Sequence, residues 1–273
     1  MNLKKNPMIS VVMAVHNGEN FIKSSVESII NQTYNNWELL IADDASTDAT
    51  NEILKQIRIK IKNKIKIINI KRNIGQYKAL NYLFSISKGK YIAVLDSDDL
   101  SHHKRLQIQI EEMNQDPELA LVYSNFKIID YKNKIIKKKD NNYKASTFRL
   151  IFPIRNIICF SSVMFKKKIL KDINFFHKYY SYSNDYYFLL KVFIKHKIKF
   201  INKYLVSYRV HPNQKTQLPN MKLQIVEEDI NHLKWVKKNF LINKFNIFLF
   251  YKEFIKKHVK FFYFKFQKVF INF

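Results

Sequence analysis

The run Asp96-Ser97-Asp98-Asp99 is the feature of this chain most able to do chemistry. It follows directly on an apolar run, residues 91–95 (YIAVL). One reading is a solvated turn, because Asp is common in turns. The other is a site for a hard divalent cation, Mg2+ or Mn2+. Such a cation takes oxygen ligands and is typically held by one or two carboxylates together with substrate phosphates. A second acidic pair, Asp43 and Asp44, ends the run that begins at Trp37, and His16 and Asn17 end the run Ile9–Val15. The chain has only Gly18, Gly75 and Gly89. A glycine-rich phosphate loop is therefore absent, which excludes P-loop kinases and dinucleotide-binding Rossmann enzymes. Cys159 is the one cysteine, so neither an internal disulfide nor a cysteine-rich zinc site can form. A cation between carboxylates and a nucleoside diphosphate is the economical reading that remains.

The elements that must position these groups follow from periodicity. Residues 9–15, 37–42, 65–70, 91–95 and 119–123 are short apolar runs that read as strands. Between them lie segments with apolar residues at helical spacing. These are 19–32, about 48–58 behind the capping residues Ser46, Thr47 and Asp48, 76–87, and a helix marked by Leu106, Ile110 and Met113 that ends near Pro117. Alternation of this kind predicts an α/β fold with a mostly parallel central sheet and helices on both faces. Ligands of such sheets bind at the carboxyl ends of the strands. That rule gathers His16, Asn17, Asp43, Asp44 and the 96–99 run on one edge. Five Asp there stand out in a chain whose net charge is 48 − 22 = +26.

The string VVMAVHNGENFIKSSVESIINQTYNNWELLIADDASTDAT, followed by RNIGQYKALNYLFSISKGKYIAVLDSDD, resembles the nucleotide-sugar-binding half of the family 2 glycosyltransferases, which have the GT-A fold. The likeness is close over about residues 8–130. Beyond it the landmarks are an acidic position in YSNDYYFLL and the segment LVSYRVH. The resemblance implies an inverting, metal-dependent sugar transferase. In it Asp44 would accept a hydrogen bond from the pyrimidine ring of the donor, and Ala14 and His16 would flank the base. Asp96, Asp98 and Asp99 would form the acidic element, with Asp98 and Asp99 reaching the ribose and the metal. Asp185 would be the catalytic base; on its own chemistry it also reads as a carboxylate favoured by a helix N-terminus. His211 would meet the metal or the diphosphate, or else is a loop residue beside Pro212, and Arg209 and Lys215 could contact phosphates. The sequence departs from the family pattern at Ala14, at His16, at Leu80, where an Arg often sits, and at Asn184, where Glu is usual.

This organisation predicts a donor-binding half over residues 1–130, an acceptor-binding half of the same domain over 131–220, and a C-terminal helical extension over 221–273. A UDP-sugar donor and a glycan or lipid-linked acceptor in cell-surface polysaccharide synthesis are what the resemblance implies. The departures at Ala14, Leu80 and Asn184 keep open a membrane-associated binding protein of the same fold without turnover. Of the 48 basic residues only six are Arg. Arg makes the forked contacts to phosphates and base edges, so no nucleic-acid partner is expected. The basic excess reads as AT-rich codon bias or as attraction to an anionic surface. Residues 240–273 hold 13 aromatics, seven Lys and one acid, Glu253. They read either as a helix packed on the domain or as one lying in a membrane interface. No secretory signal and no run of about 18 apolar residues is present. The expected location is cytoplasmic, with peripheral attachment to the inner face of the membrane as the partner reading.

Overall fold

The computed structural model describes residues 6–61, 63–173, 183–214, 219–239 and 244–271. The described residues divide into two compact units. One takes those of Met1–Asn141, Ile158–Phe176 and Lys191–Arg209; the other takes those of Asn142–Ile157, His177–Leu190 and Val210–Phe273.

The first unit is built on β1 (Ile9–Val15), whose seven residues are all buried. Burial on both faces is why the strand reads as a continuous apolar run instead of an alternating one. β1 pairs in parallel with β2 (Trp37–Asp44) on one side and with β4 (Tyr91–Val94) on the other. β2 in turn pairs in parallel with β3 (Ile65–Ile70). The crossovers carry α1 (Ile22–Ile30), α2 (Thr50–Lys60) and α3 (Gln76–Ile86). The chain thus steps outward from β1 to β3 and returns to the opposite side of β1, which places a topological switch point beside β1.

Beyond β4 the sheet is mixed. β5 (Leu100–Ser101) leads to α4 (Arg105–Gln115), β6 (Leu119–Ile129), β7 (Ile135–Lys139), β8 (Met164–Lys166) and β9 (Lys197–Arg209). Spatial order is β3-β2-β1-β4-β8-β6-β9-β5, with β7 added on β6. β8 is antiparallel to both β4 and β6, whereas β6 and β9 are parallel. Alternate residues of β1, namely Ile9, Val11, Met13 and Val15, share one core with Ile22, Val26 and Ile29 of α1 and Leu106, Ile110 and Met113 of α4. Ala79, Leu80, Leu83 and Phe84 are buried on α3, which packs on β1 outside that cluster, so helices cover both faces.

The strand predicted over 119–123 continues to Ile129, and β2 runs on to include both Asp43 and Asp44. The two- to five-residue strands β5, β7 and β8 carry no periodic pattern long enough to read from sequence.

The second unit holds α5 (Ala145–Ile151), the start of α6 (Asn184–Lys195), α7 (Pro219–Asn239) and α8 (Lys244–Ile271). The helical extension expected after residue 221 is therefore present as α7 and α8. Among the described residues no helix is long and apolar enough to cross a membrane.

Candidate active site

Two strand-end loops meet at the carboxyl edge of β1 and β2. Asn17 and Ala45, the residues just past these ends, both have left-handed backbones, with φ of 55° and 60°. Side chains that cross between the loops hold this costly geometry in place. The Asn17 N–H donates to Ser46 Oγ at 2.9 Å, and Asn17 Oδ1 accepts the Thr47 N–H at 2.8 Å. The Gly18 N–H donates to Thr50 Oγ1, the Glu19 N–H donates to Asp48 Oδ2, and the Ala49 N–H donates to Glu19 Oε2 across the same gap. His16 Nδ1 lies 2.8 Å from the Asp44 carbonyl oxygen. A carbonyl can only accept, so Nδ1 carries the proton in this contact.

Asp44 is buried at the end of β2. Its Oδ1 accepts the Ile74 N–H and its Oδ2 the Gly75 N–H, both at 2.8 Å. Gly75 has φ of +90°, a conformation that favours glycine, and it turns the chain into α3. Asp44 therefore anchors the β3–α3 loop, with one further lone pair left on each oxygen. Asp43 does local work: it accepts the Ser46 N–H and an Asn51 side-chain N–H.

The acidic turn follows β4. Asp96 Oδ1 accepts Gln76 Nε2 at 2.9 Å, and the Asp96 N–H donates to Ser161 Oγ at 3.1 Å. Asp98 is half-buried; Asp99 is fully buried, with 0% exposure. Asp99 Oδ1 accepts the Arg209 N–H at 2.8 Å, whereas Oδ2 is buried and has no hydrogen-bond partner among the described residues. Burial, with the Asp98 and Asp96 charges behind it, holds the Asp99 carboxyl well above the usual carboxylate range, and the nearby Ser161 hydroxyl offsets part of that.

Arg209 is turned inward. It is 1% exposed, its Nε donates to the Asp98 carbonyl at 2.7 Å, and one terminal nitrogen donates to the Asp130 carbonyl and to Asn133 Oδ1. Its guanidinium also lies 4.7 Å from the centre of the Phe21 ring. The fork spends its donors on fixing the turn. Arg105, fully buried on α4, supports the same region from within. It donates to the Val94 and Val163 carbonyls and to Gln109, and burial lowers its pKa to about 10. Cys159 lies beside Asp99 and Asp96; burial and then those charges push its thiol pKa up, so it is not a thiolate nucleophile.

The first unit thus brings together Ala14, His16, Asp44, Asp96, Asp98, Asp99 and Arg209. Leu80 is a core residue of α3. Asp185 and His211 belong to the second unit. Asp185 is half-buried in the first turn of α6, beside the buried Asn184. The preceding Ser183 donates its N–H to Glu228 and its hydroxyl to Asp229, both on α7. His211 begins a turn in which its carbonyl accepts the Gln214 N–H at 3.1 Å. Lys215 lies outside the described residues. Among the described residues, no three His, Cys, Asp or Glu side chains form a group that could hold a metal on their own.

Sequence reasoning missed Gln76, Ser161, Asp130, Asn133 and the buried Arg105. Ser161 lies 65 residues from the backbone it supports, and pairings that distant leave no mark in local periodicity.

Known proteins similar to this chain share one family and fold. An uncharacterized glycosyltransferase of Methanocaldococcus jannaschii is 35% identical over 222 residues, 80% of this chain and 76% of that protein. The O-antigen biosynthesis glycosyltransferase WbnJ of Escherichia coli is 35% identical over 225 residues, 80% of this chain and 85% of WbnJ. Among solved structures, S. aureus TarS 1-349 in complex with UDP-GlcNAc superposes with a TM-score of 0.69 at 17% identity, covering 93% of this chain and 73% of that one. The mannosyltransferase PcManGT of Pyrobaculum calidifontis, in complex with GDP-Man and Mn2+, gives 0.65 at 14% identity over 93% and 70%. The fold is of the GT-A type shared with these neighbours. The model of glycosyl transferase family 2 matches residues 10–174, and the chain belongs to that family of enzymes.

Proposed function

We propose that the protein transfers a sugar from a UDP-sugar to a hydroxyl of a glycan or lipid-linked acceptor in cell-surface polysaccharide synthesis, by a single displacement that inverts the anomeric carbon. The acidic turn carries this reading. A diphosphate joins a cluster of carboxylates favourably only with a cation between them. A buried carboxylate oxygen of Asp99 with no partner among the described residues, beside Asp98 and Asp96, is a donor set that fits Mn2+ or Mg2+. Asp98, Asp99 and His211 are the proposed ligands, with the diphosphate completing the shell. When bound, the cation offsets charge on the departing nucleoside diphosphate.

The remaining roles fall to the chain itself. In this reading residues 1–130 hold the donor and 131–220 the acceptor. Asp44 accepts from the pyrimidine ring, its carboxylate held in place by the Ile74 and Gly75 N–H groups. Ala14 and His16 flank the base. Asp96 and Asp98 meet the ribose and diphosphate, and Arg209 positions the Asp98–Asp99 turn. Asp185 takes the proton from the acceptor hydroxyl as the new bond forms, because a neutral sugar hydroxyl is a poor nucleophile. The names of the relatives support this reading: WbnJ is an O-antigen biosynthesis enzyme, and TarS was captured with UDP-GlcNAc.

The test measures nucleotide release from a panel of UDP-sugars, with GDP-mannose alongside, in Mn2+, Mg2+ and EDTA. Release from at least one UDP-sugar, lost in EDTA, is the expected result. Donor-dependent thermal stabilisation without release from any donor would instead establish the binding protein without turnover. Release that persists in EDTA would overturn the metal.

A further inference from the structure

Twelve large apolar side chains are strongly exposed among the described residues, and five of them fall within 13 consecutive residues of α8. These are Tyr251 (45%), Ile255 (60%), Val259 (64%), Phe262 (63%) and Tyr263 (57%). Scattered exposed apolar residues are ordinary, but a contiguous patch marks a contact surface. At 3.6 residues per turn, Tyr251, Ile255, Val259 and Phe262 lie within an arc of roughly 80°. They form a stripe along about three turns of the helix.

The packed side of α8 is already occupied. Phe250 is buried, Phe254, His258 and Phe261 are half-buried, and Lys257 is ion-paired with Asp229 of α7. The stripe is what this packing leaves over. Its flank is basic: Lys252, Lys256 and Lys260 are exposed and follow one another at four-residue steps beside it. Lys237 of α7 donates to the Tyr251 hydroxyl at 3.4 Å. Glu253, the one acid in residues 240–273, is half-buried and lies 3.8 Å from Lys256.

We infer that this stripe docks on an anionic lipid surface, with α8 lying in the plane of the interface. Apolar side chains enter the acyl boundary while lysines on the flank keep their ammonium groups among anionic headgroups, their stems lying along the apolar surface. Charge complementarity selects this occupant. A second copy would bring the same lysines and the same net charge of +26 against this face, so like charges oppose pairing of two chains. The absence of a membrane-crossing helix among the described residues accords with a helix that lies on a bilayer. The inference rests on neither the donor, the metal nor the base.

The experiment is co-sedimentation of the full chain with vesicles of phosphatidylcholine alone and of phosphatidylcholine with about a quarter phosphatidylserine. Two variants accompany it: Ile255→Ser, Val259→Ser and Phe262→Ser together, and Lys252→Gln, Lys256→Gln and Lys260→Gln together. All six positions are exposed, and thermal melts matching the parent check that both variants are folded. The parent is expected to bind anionic vesicles at least tenfold better than neutral ones, and to lose that preference as salt shortens screening to about 3 Å at 1 M. Each variant is expected to lose tenfold or more. Parental binding by either variant would overturn the inference, since the overall basic charge would then suffice. So would equal binding to both lipids, no binding at all, or a dimer in sedimentation equilibrium that the stripe variant abolishes.

Discussion

The backbone N–H of Arg209 donates to Asp99 Oδ1 at 2.8 Å, joining the end of β9 to the acidic turn across 110 residues of sequence. The same residue's guanidinium grips the Asp98 carbonyl and the Asp130–Asn133 turn. One residue therefore fixes two adjacent positions of the turn, the Asp99 carboxylate by its backbone N–H and the Asp98 carbonyl by its side chain. Asn133 adopts φ of 68° where it meets this fork. Precision in the acidic turn thus depends on a strand laid down late in the chain.

Arg209→Lys separates charge from shape. Lysine keeps the positive charge and the backbone bond to Asp99 but cannot span the Asp98 carbonyl, the Asp130 carbonyl and Asn133 Oδ1 together. Breaking a buried, charge-assisted cluster of this kind is expected to cost about 2–4 kcal/mol. The Michaelis constant for donor should rise as the turn loosens. Denaturant unfolding and steady-state kinetics of the same preparation check both parts; parental stability with parental kinetics would remove the positioning role.

Asp99→Asn tests whether the orphaned carboxylate is retained for function at the expense of the fold. Asn keeps an acceptor for the Arg209 N–H and removes a charge buried at 0% exposure beside two other carboxylates. Asn needs no proton taken up on burial beside Asp96 and Asp98, so at neutral pH stability of the metal-free protein is expected to rise by about 1 kcal/mol or more, while transfer is lost. A lower melting temperature than the parent would show that the carboxylate contributes to folding instead.

Asp98→Ala addresses the proposed metal from a half-buried position, where truncation leaves the core untouched. Transfer should disappear while the far-ultraviolet spectrum and melting temperature stay near the parent's. EDTA should reproduce the loss in the parent, and Mn2+ should restore it there but not in the variant. Rescue of the variant by Mn2+ would place the cation on other residues.

The first half of this architecture was legible because β1, β2 and β4 are buried on both faces and so appear as unbroken apolar runs. The carboxylates at their ends stand where parallel sheets bind ligands. The second half was not. β8 contributes three residues and β5 two, and both take their place from pairing with distant strands instead of from their own pattern. Arg209 shows the same limit within the site. Its sequence neighbours suggested a phosphate contact, whereas its partners Asp98, Asp130 and Asn133 are visible only in three dimensions. The seven lysines and 13 aromatics of residues 240–273 were countable, but which of the described ones on α8 face outward follows from packing against α7.

Asp185→Asn is nearly isosteric and removes the proposed base without emptying space. Donor affinity is expected within a few-fold of the parent, and turnover should fall by roughly 10²–10⁴, the usual contribution of general acid–base catalysis. Donor binding by calorimetry and turnover by nucleotide release resolve the two quantities. Near-parental turnover would move the base to another residue.

His232 supplies the pH dependence of the second unit. Its ring is 1% exposed, lies face to face with Tyr186 at 4.1 Å, and has Tyr187 and Trp235 around it. Among the described residues neither ring nitrogen has a hydrogen-bond partner. Burial, and then the nearby Lys257 ammonium, lower its pKa from 6.5 to about 3. The folded protein therefore holds this ring neutral while the unfolded chain protonates it below about pH 6.5. Between those values the unfolded state binds more protons, so stability rises with pH; it is complete above pH 6.5 and is lost as pH falls toward 3. Each pH unit in that window is worth up to about 1.4 kcal/mol. His232→Phe keeps the aromatic stack on Tyr186 and removes both unsatisfied nitrogens, so it is expected to unfold at higher denaturant at pH 7. The gap between variant and parent should widen by about 2 kcal/mol on going to pH 5, because only the parent has a histidine to protonate there. Unfolding midpoints of both proteins at the two pH values decide the matter. Parallel losses of stability on acidification would mean that other groups carry the acid sensitivity of this unit.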